Sequence, residues 1–183
     1  MISKVVFMCG KDKTPKDAWY PWFGKEVGKK GLKFVAPELP NIHDPILNEW
    51  LNELEKTNPD ENTILIGHSR GGVAIMRWLE QLHEDRKIKK VILIAANNPG
   101  ISEKNQNKNT HGFYELGDYN FKKIKSHCDN FVVFHSKEDQ WVPFESGAQN
   151  AKELNAKFRV FEDKMHFRKN LKDFPELIEE ISE

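Results

Sequence analysis

The chain has 183 residues, which suits a single domain spanning 1–183 that buries its core without disulfides or metal to staple it. Lys plus Arg (28) balances Asp plus Glu (28), so no global field favours a nucleic-acid backbone or an anionic membrane surface as partner. Two cysteines, Cys9 and Cys128, are too few for a disulfide framework and lack zinc-site spacing, which predicts free thiols and a reducing, cytoplasmic setting.

In chain order, the first predicted element is a strand, Val5–Met8. Its apolar run is too short for a secretory core, and no later stretch approaches the roughly 20 apolar residues of a membrane helix. A helical pattern over 17–30 follows, with Trp19, Tyr20, Trp22 and Phe23 crowded at its start. Aromatics at such spacing read as core, and of these and Trp141 and Phe144 one or two rings are expected to line a ligand pocket. Gly24 to Gly31 is not a phosphate loop, because the Gly-Lys-Ser/Thr ending after a strand is absent.

The strand Phe34–Ala36 leads to a helix over 44–57, for which Asp44 is the predicted N-cap and Pro45 the first helical residue. Ile46, Leu47, Trp50, Leu51 and Leu54 form its apolar face. Then come the strand Thr63–Ile66, a helix over 70–85 and the strand Val91–Ala96. The polar stretch Asn97–Asn109 is long for a loop and is expected to border a site. A short helix near 120–126, the strand Phe131–Phe134, a helix over 144–156 and the strand Phe158–Phe161 complete the alternation. A last helix, 173–182, opens on Asp173 and Pro175, with Leu177, Ile178 and Ile181 as its inner stripe. Short β-branched runs without strict alternation suit parallel strands buried on both faces, and their alternation with helices predicts a parallel sheet wrapped by helices.

The chemistry centres on Gly67-His68-Ser69-Arg70-Gly71, a Gly-x-Ser-x-Gly set between a strand and a helix, the context of a nucleophile elbow. Gly67 and Gly71 permit close packing around a strained turn that lifts the Ser69 hydroxyl above the sheet. The Arg70 N–H, at a helix N-terminus, would point at a developing oxyanion. A serine needs a base, and in this arrangement the chain order is Ser, acid, His. His166 follows the last strand and fits. His43, His68 and His83 do not follow an acid that follows the serine, His111 and His127 precede the best acid, and His135 ends a strand, where a structural role is expected. Asp139, in the loop after Phe131–Ser136, lies at the sheet edge where catalytic groups gather. Glu138 is its rival; Asp129 is at the wrong end of the strand.

These residues carry a resemblance. The strand ending at Gly10, Trp19-Tyr20-Pro21-Trp22, Pro37-Glu38-Leu39-Pro40, Trp50-Leu51, Gly67-His68-Ser69, Asp139 through Pro143 and His166-Phe167 resemble the small serine-hydrolase family that includes retinoblastoma-binding protein 9 and bacterial YdeN-type proteins. The resemblance implies a compact α/β-hydrolase fold, a six-stranded parallel sheet in the order 2-1-3-4-5-6 with helices on both faces and little or no lid. Many α/β-hydrolases carry His-Gly where this chain has Cys9-Gly10. The second oxyanion donor is then the Lys11 backbone N–H, which a side-chain change need not abolish.

The expected activity is carboxylesterase-like cleavage of small acyl esters through an acyl-serine, with no cofactor and no metal. The expected partner is a small-molecule acyl substrate, not nucleic acid or membrane. The competing reading is a non-catalytic protein-binding module on the same fold; the ordered Ser69, Asp139 and His166 favour the enzyme.

Overall fold

The computed structural model describes residues 1–101, 110–168 and 171–182. Strands β1 (Lys4–Met8), β2 (Lys33–Val35), β3 (Thr63–His68), β4 (Lys90–Ile94), β5 (Phe131–Ser136) and β6 (Lys157–Phe161) form one 6-stranded sheet. Its order is β2-β1-β3-β4-β5-β6, every ladder parallel. The register pairs Met8 with Gly67 and Gly67 with Leu93, so the chain leaves β1, β3 and β4 side by side at one edge. The sheet matches the α/β-hydrolase order that the resemblance implied.

Helices α1 (Tyr20–Lys29), α2 (Leu47–Lys56), α3 (Arg70–Leu79), α4 (Phe121–His127), α5 (Phe144–Leu154) and α6 (Pro175–Glu180) fill the connections. α1 packs with α6, while α2, α3, α4 and α5 pack in a row. Every residue of β3 and β5 is buried, which requires cover on both faces of the sheet. β2 and β6, at the edges, are partly exposed. Among the described residues no helix is long and apolar enough to cross a membrane.

An aromatic layer joins α1 and α6 to the sheet. The Phe7 ring meets Trp19 at 5.4 Å and Tyr20 at 4.7 Å between centroids, and Phe174 meets Trp19 at 5.2 Å and Phe134 at 5.3 Å. Such pairs add about 0.5–1.5 kcal/mol each beyond the area they bury.

At three of the boundaries that differ from the sequence reading, the contacts give the reason. α2 is preceded by Ile46 as N-cap, not Asp44: the Leu47 N–H donates to the His111 carbonyl, while Asp44 Oδ2 turns to His111 Nε2. A distant carbonyl thus satisfies a donor that the local aspartate was expected to serve. α6 is likewise capped by Phe174 and not by Asp173, with Pro175 at its first turn. α3 stops at Leu79 instead of running on to 85, because the buried stripe gives out: Gln81, His83, Glu84 and Asp85 all face solvent.

Candidate active site

The elbow follows from close backbone approach. Ser69 sits between β3 and α3 at φ 54°, ψ −121°, a conformation that costs a non-glycine residue about 1–3 kcal/mol. Its N–H donates to the Ile94 carbonyl at 2.8 Å, tying the turn to the end of β4. A Cβ on Gly67 would stand 2.5 Å from the Gly72 backbone, and one on Gly71 would stand 2.3 Å from the Met8 carbonyl oxygen. Only glycine allows α3 to start this close to the sheet. One on Gly10 would come within 3.1 Å of Ser69 Cβ, so the loop after β1 lies directly against the serine.

Ser69 Oγ lies 2.9 Å from His166 Nε2, and His166 Nδ1 lies 2.7 Å from Asp139 Oδ2. The residues expected to act together are therefore brought into one hydrogen-bonded line. The Asp139 carboxylate is fully buried and its other oxygen accepts from the Trp141 and Val142 N–H groups at 2.9 and 3.0 Å. Those donors hold Oδ1 and so fix Oδ2 as the oxygen that faces the histidine. An acceptor-only carboxylate requires the proton on His166 Nδ1, which leaves Nε2 as acceptor toward the Ser69 hydroxyl. Glu138, the rival acid, points to solvent.

The His166 loop is held by its main chain. Met165 and Phe167, on either side of the histidine, have φ near 50°. The His166 carbonyl accepts from His68 Nε2 at 2.9 Å and the Phe167 carbonyl from Trp19 Nε1 at 2.8 Å. Because a carbonyl only accepts, His68 carries its proton on Nε2, and its Nδ1 accepts from the Tyr20 hydroxyl at 2.7 Å. Burial, reinforced by the neighbouring His166 ring, holds the His68 pKa well below the usual imidazole range. His68 is thus a neutral strut. The sequence reading excluded it as the base but assigned it no part; its only signal is its place inside the elbow. His135 has the structural role expected: Nε2 donates to the Val142 carbonyl at 3.2 Å, and its ring occupies space that any Cβ on Gly147 would invade.

Opposite the serine, the Lys11 N–H has no acceptor among the described residues, and the Arg70 N–H, in the first turn of α3, lacks an intrahelical one. Both residues line a cavity of about 430 Å³ together with Ser69, His166, Trp141 and Arg168. Of the aromatics considered from sequence, Trp141 reaches this cavity, edge-on to His166 at 4.9 Å between centroids, whereas Trp19, Tyr20 and Phe23 are buried in the core. Asn97, at the start of the polar loop, also reaches it; positions 102–109 of that loop lie outside the described residues. Asn97 is fixed by Ser146 Oγ, which donates to its Oδ1 at 3.0 Å.

The serine hydrolase family model matches residues 5–179. The chain belongs to that family. Serine hydrolase RBBP9 of Rattus norvegicus is 31% identical over 165 residues, covering 87% of this chain and 82% of the relative. The putative hydrolase YdeN of Bacillus subtilis is 27% identical over 169 residues, 91% of this chain and 87% of YdeN. The crystal structure of the ydeN gene product superposes with a TM-score of 0.86 at 24% identity, covering 98% of this chain and 97% of that one.

Cys9, the departure from His-Gly in this serine hydrolase, is fully buried just past the end of β1, next to the loop that carries Lys11. Burial, with Asp17 and Glu38 adding to it, pushes its thiol pKa up. A thiol held protonated is a poor nucleophile, which sets Cys9 apart from a reactive cysteine.

Proposed function

We propose that this serine hydrolase is carboxylesterase-like, cleaving small acyl esters through an acyl-serine intermediate. Ser69 Oγ attacks the acyl carbon while His166 Nε2 takes its proton, and Asp139 holds the imidazole in the required tautomer and stabilises the imidazolium. The Lys11 and Arg70 N–H groups receive the negative charge that develops on the carbonyl oxygen. The tetrahedral species then collapses, His166 returns the proton to the departing alkoxide, and the alcohol leaves. Water attacks the acyl-serine with His166 again as base, releasing the acid and restoring the Ser69 hydroxyl. Each step uses groups of the chain and water, so the reading calls for no cofactor.

The observation that carries this reading is the hydrogen-bonded line from Ser69 through His166 to Asp139, beside two backbone donors in one cavity. A module that only bound proteins would have no use for a strained serine aligned on a buried histidine–carboxylate pair. The test is labelling with a fluorophosphonate, read by mass spectrometry, alongside turnover of a panel of short acyl esters. Ser69 is expected to carry the adduct, and Ser69→Ala or His166→Ala should each lower turnover by about 10⁴ or more, the double variant being little worse. Absence of an adduct on Ser69, or equal turnover by Ser69→Ala, would remove the hydrolase assignment of these residues.

A further inference from the structure

The chain is neutral overall, yet the cavity at Ser69 is not. Lys11, Arg70 and Arg168 line it against the carboxylate of Asp12, and that carboxylate is already hydrogen-bonded to His43 Nδ1 at 2.8 Å. Among the described residues neither guanidinium has a carboxylate within ion-pair distance.

Both guanidiniums are held in place. Arg70 Cζ lies 4.9 Å from the ring centroids of both Phe113 and Tyr114. The segment carrying those rings is fastened to α3 by the buried Arg77, which donates to the Phe113 and Gly117 carbonyls. Arg168 stacks on Trp141, Cζ to centroid 5.3 Å, and donates through Nη2 to the Lys11 carbonyl, while its Nε is buried with no acceptor. Aromatic rings occupy the faces of a guanidinium and leave its in-plane N–H edge for a planar anion, the fork geometry that suits a carboxylate. Two guanidiniums with no carboxylate partner among the described residues, held on aromatic rings beside Ser69, form a site that an anion can occupy.

We propose that the substrate carries a carboxylate close to the scissile ester, bound by Arg70 and Arg168. This deepens the esterase reading and rests on it. The carboxylate sits on the acyl side or on the alcohol side, and two substrate pairs separate these. For the acyl side, monoethyl glutarate is compared with its neutral isostere, in which an isopropyl group replaces the carboxylate. For the alcohol side, acetoxyacetate is compared with isobutyl acetate.

In at least one pair the anionic ester should have the higher kcat/KM, by about 10-fold at low salt, the scale of one hydrogen bond to a charged group. That ratio should shrink as salt is raised. In Arg70→Met and Arg168→Met it should fall by about 10-fold each. Because the readout is the ratio within a pair, disturbance of the Lys11 loop, which slows both members together, does not imitate the result. If a variant fails to fold, the wild-type ratio and its salt dependence still decide. Equal or better turnover of the neutral member in both pairs, or a preference that survives in both variants, overturns the proposal. Fluorophosphonate labelling of Ser69 keeps the two readings apart: with labelling intact such a result sinks the anion site alone, whereas lost labelling sinks the hydrolase reading with it.

Discussion

The tightest packing at the site gives a quantitative expectation for Gly71→Ala. The added Cβ would stand 2.3 Å from the Met8 oxygen and 2.5 Å from the Cys9 oxygen, where about 3.3 Å is a comfortable C···O approach. Both obstacles are backbone at the end of a central strand, so no rotamer change relieves the clash. The start of α3 must move away from β1 by close to 1 Å. That movement separates the Arg70 and Lys11 N–H groups, which lie on the two sides of this contact, and carries Ser69 with it. Overpacking of this kind costs about 1–3 kcal/mol of stability, and a misplacement of about 1 Å at reacting groups costs about 10²-fold in rate. Gly71→Ala should therefore remain folded with a lower urea midpoint and show kcat/KM on a short aryl ester reduced by about 10²-fold. Gly28→Ala is the control: beyond its chain neighbours and the backbone of its own helix, nothing comes within 4 Å of its Cβ position, and it sits inside α1. That variant should gain about 0.5–1 kcal/mol and keep its activity. If Gly71→Ala turns over esters like the wild type, the close approach of α3 to β1 does not set the geometry of the nucleophile.

Two further outcomes follow from the same contacts. Asp139→Asn should lower turnover by about 10⁴-fold, because an amide in that place favours the wrong His166 tautomer, whereas Glu138→Gln should leave it near wild type; steady-state kinetics of both variants decides which acid is used. His68 and His135 are both held neutral in the folded chain chiefly by burial, so below their usual value of about 6.5 the unfolded chain binds more protons and stability falls. The protection is complete above that pH and is lost at up to about 1.4 kcal/mol per pH unit for each histidine as the pH drops. Urea midpoints at pH 7.5, 6.5 and about 5.5, a window above ordinary carboxylate titration, should decline, and His68→Gln should flatten the decline; a constant midpoint would refute the neutral-strut role.

The site was legible where chemistry needs a local pattern or a fixed chain order. Gly67 and Gly71 mark the elbow because only glycine fits there, and His166 follows from the position of the last strand. The sheet was legible because consecutive buried residues leave β3, β4 and β5 with uninterrupted apolar runs. What holds the histidine loop was not. His68, itself held by Tyr20, and Trp19 reach that loop from far away in sequence, and nothing near 166 announces which side chains will meet its carbonyls. The side chains of Arg168 and Arg70 escaped for the same reason, since their character comes from Trp141, Phe113 and Tyr114 stacked on them. The helix starts at Asp44 and Asp173 were misplaced because a capping aspartate is a local preference, and at α2 the His111 carbonyl satisfied the donor instead.

The anchoring of the His166 loop through carbonyl oxygens has a bearing on redesign. Main-chain acceptors are the same whatever residue supplies them, so the imidazole keeps its position while neighbouring side chains are exchanged. Met165, half-turned to solvent, and Arg168, at the cavity wall, are thus natural positions for a saturation library that alters the cavity while His166 stays in register. Substitutions at Trp19, Tyr20 or His68 would remove the buffers that make such exchange tolerable. The enzyme's adaptable surface and its fixed frame therefore lie within a few residues of each other in one loop.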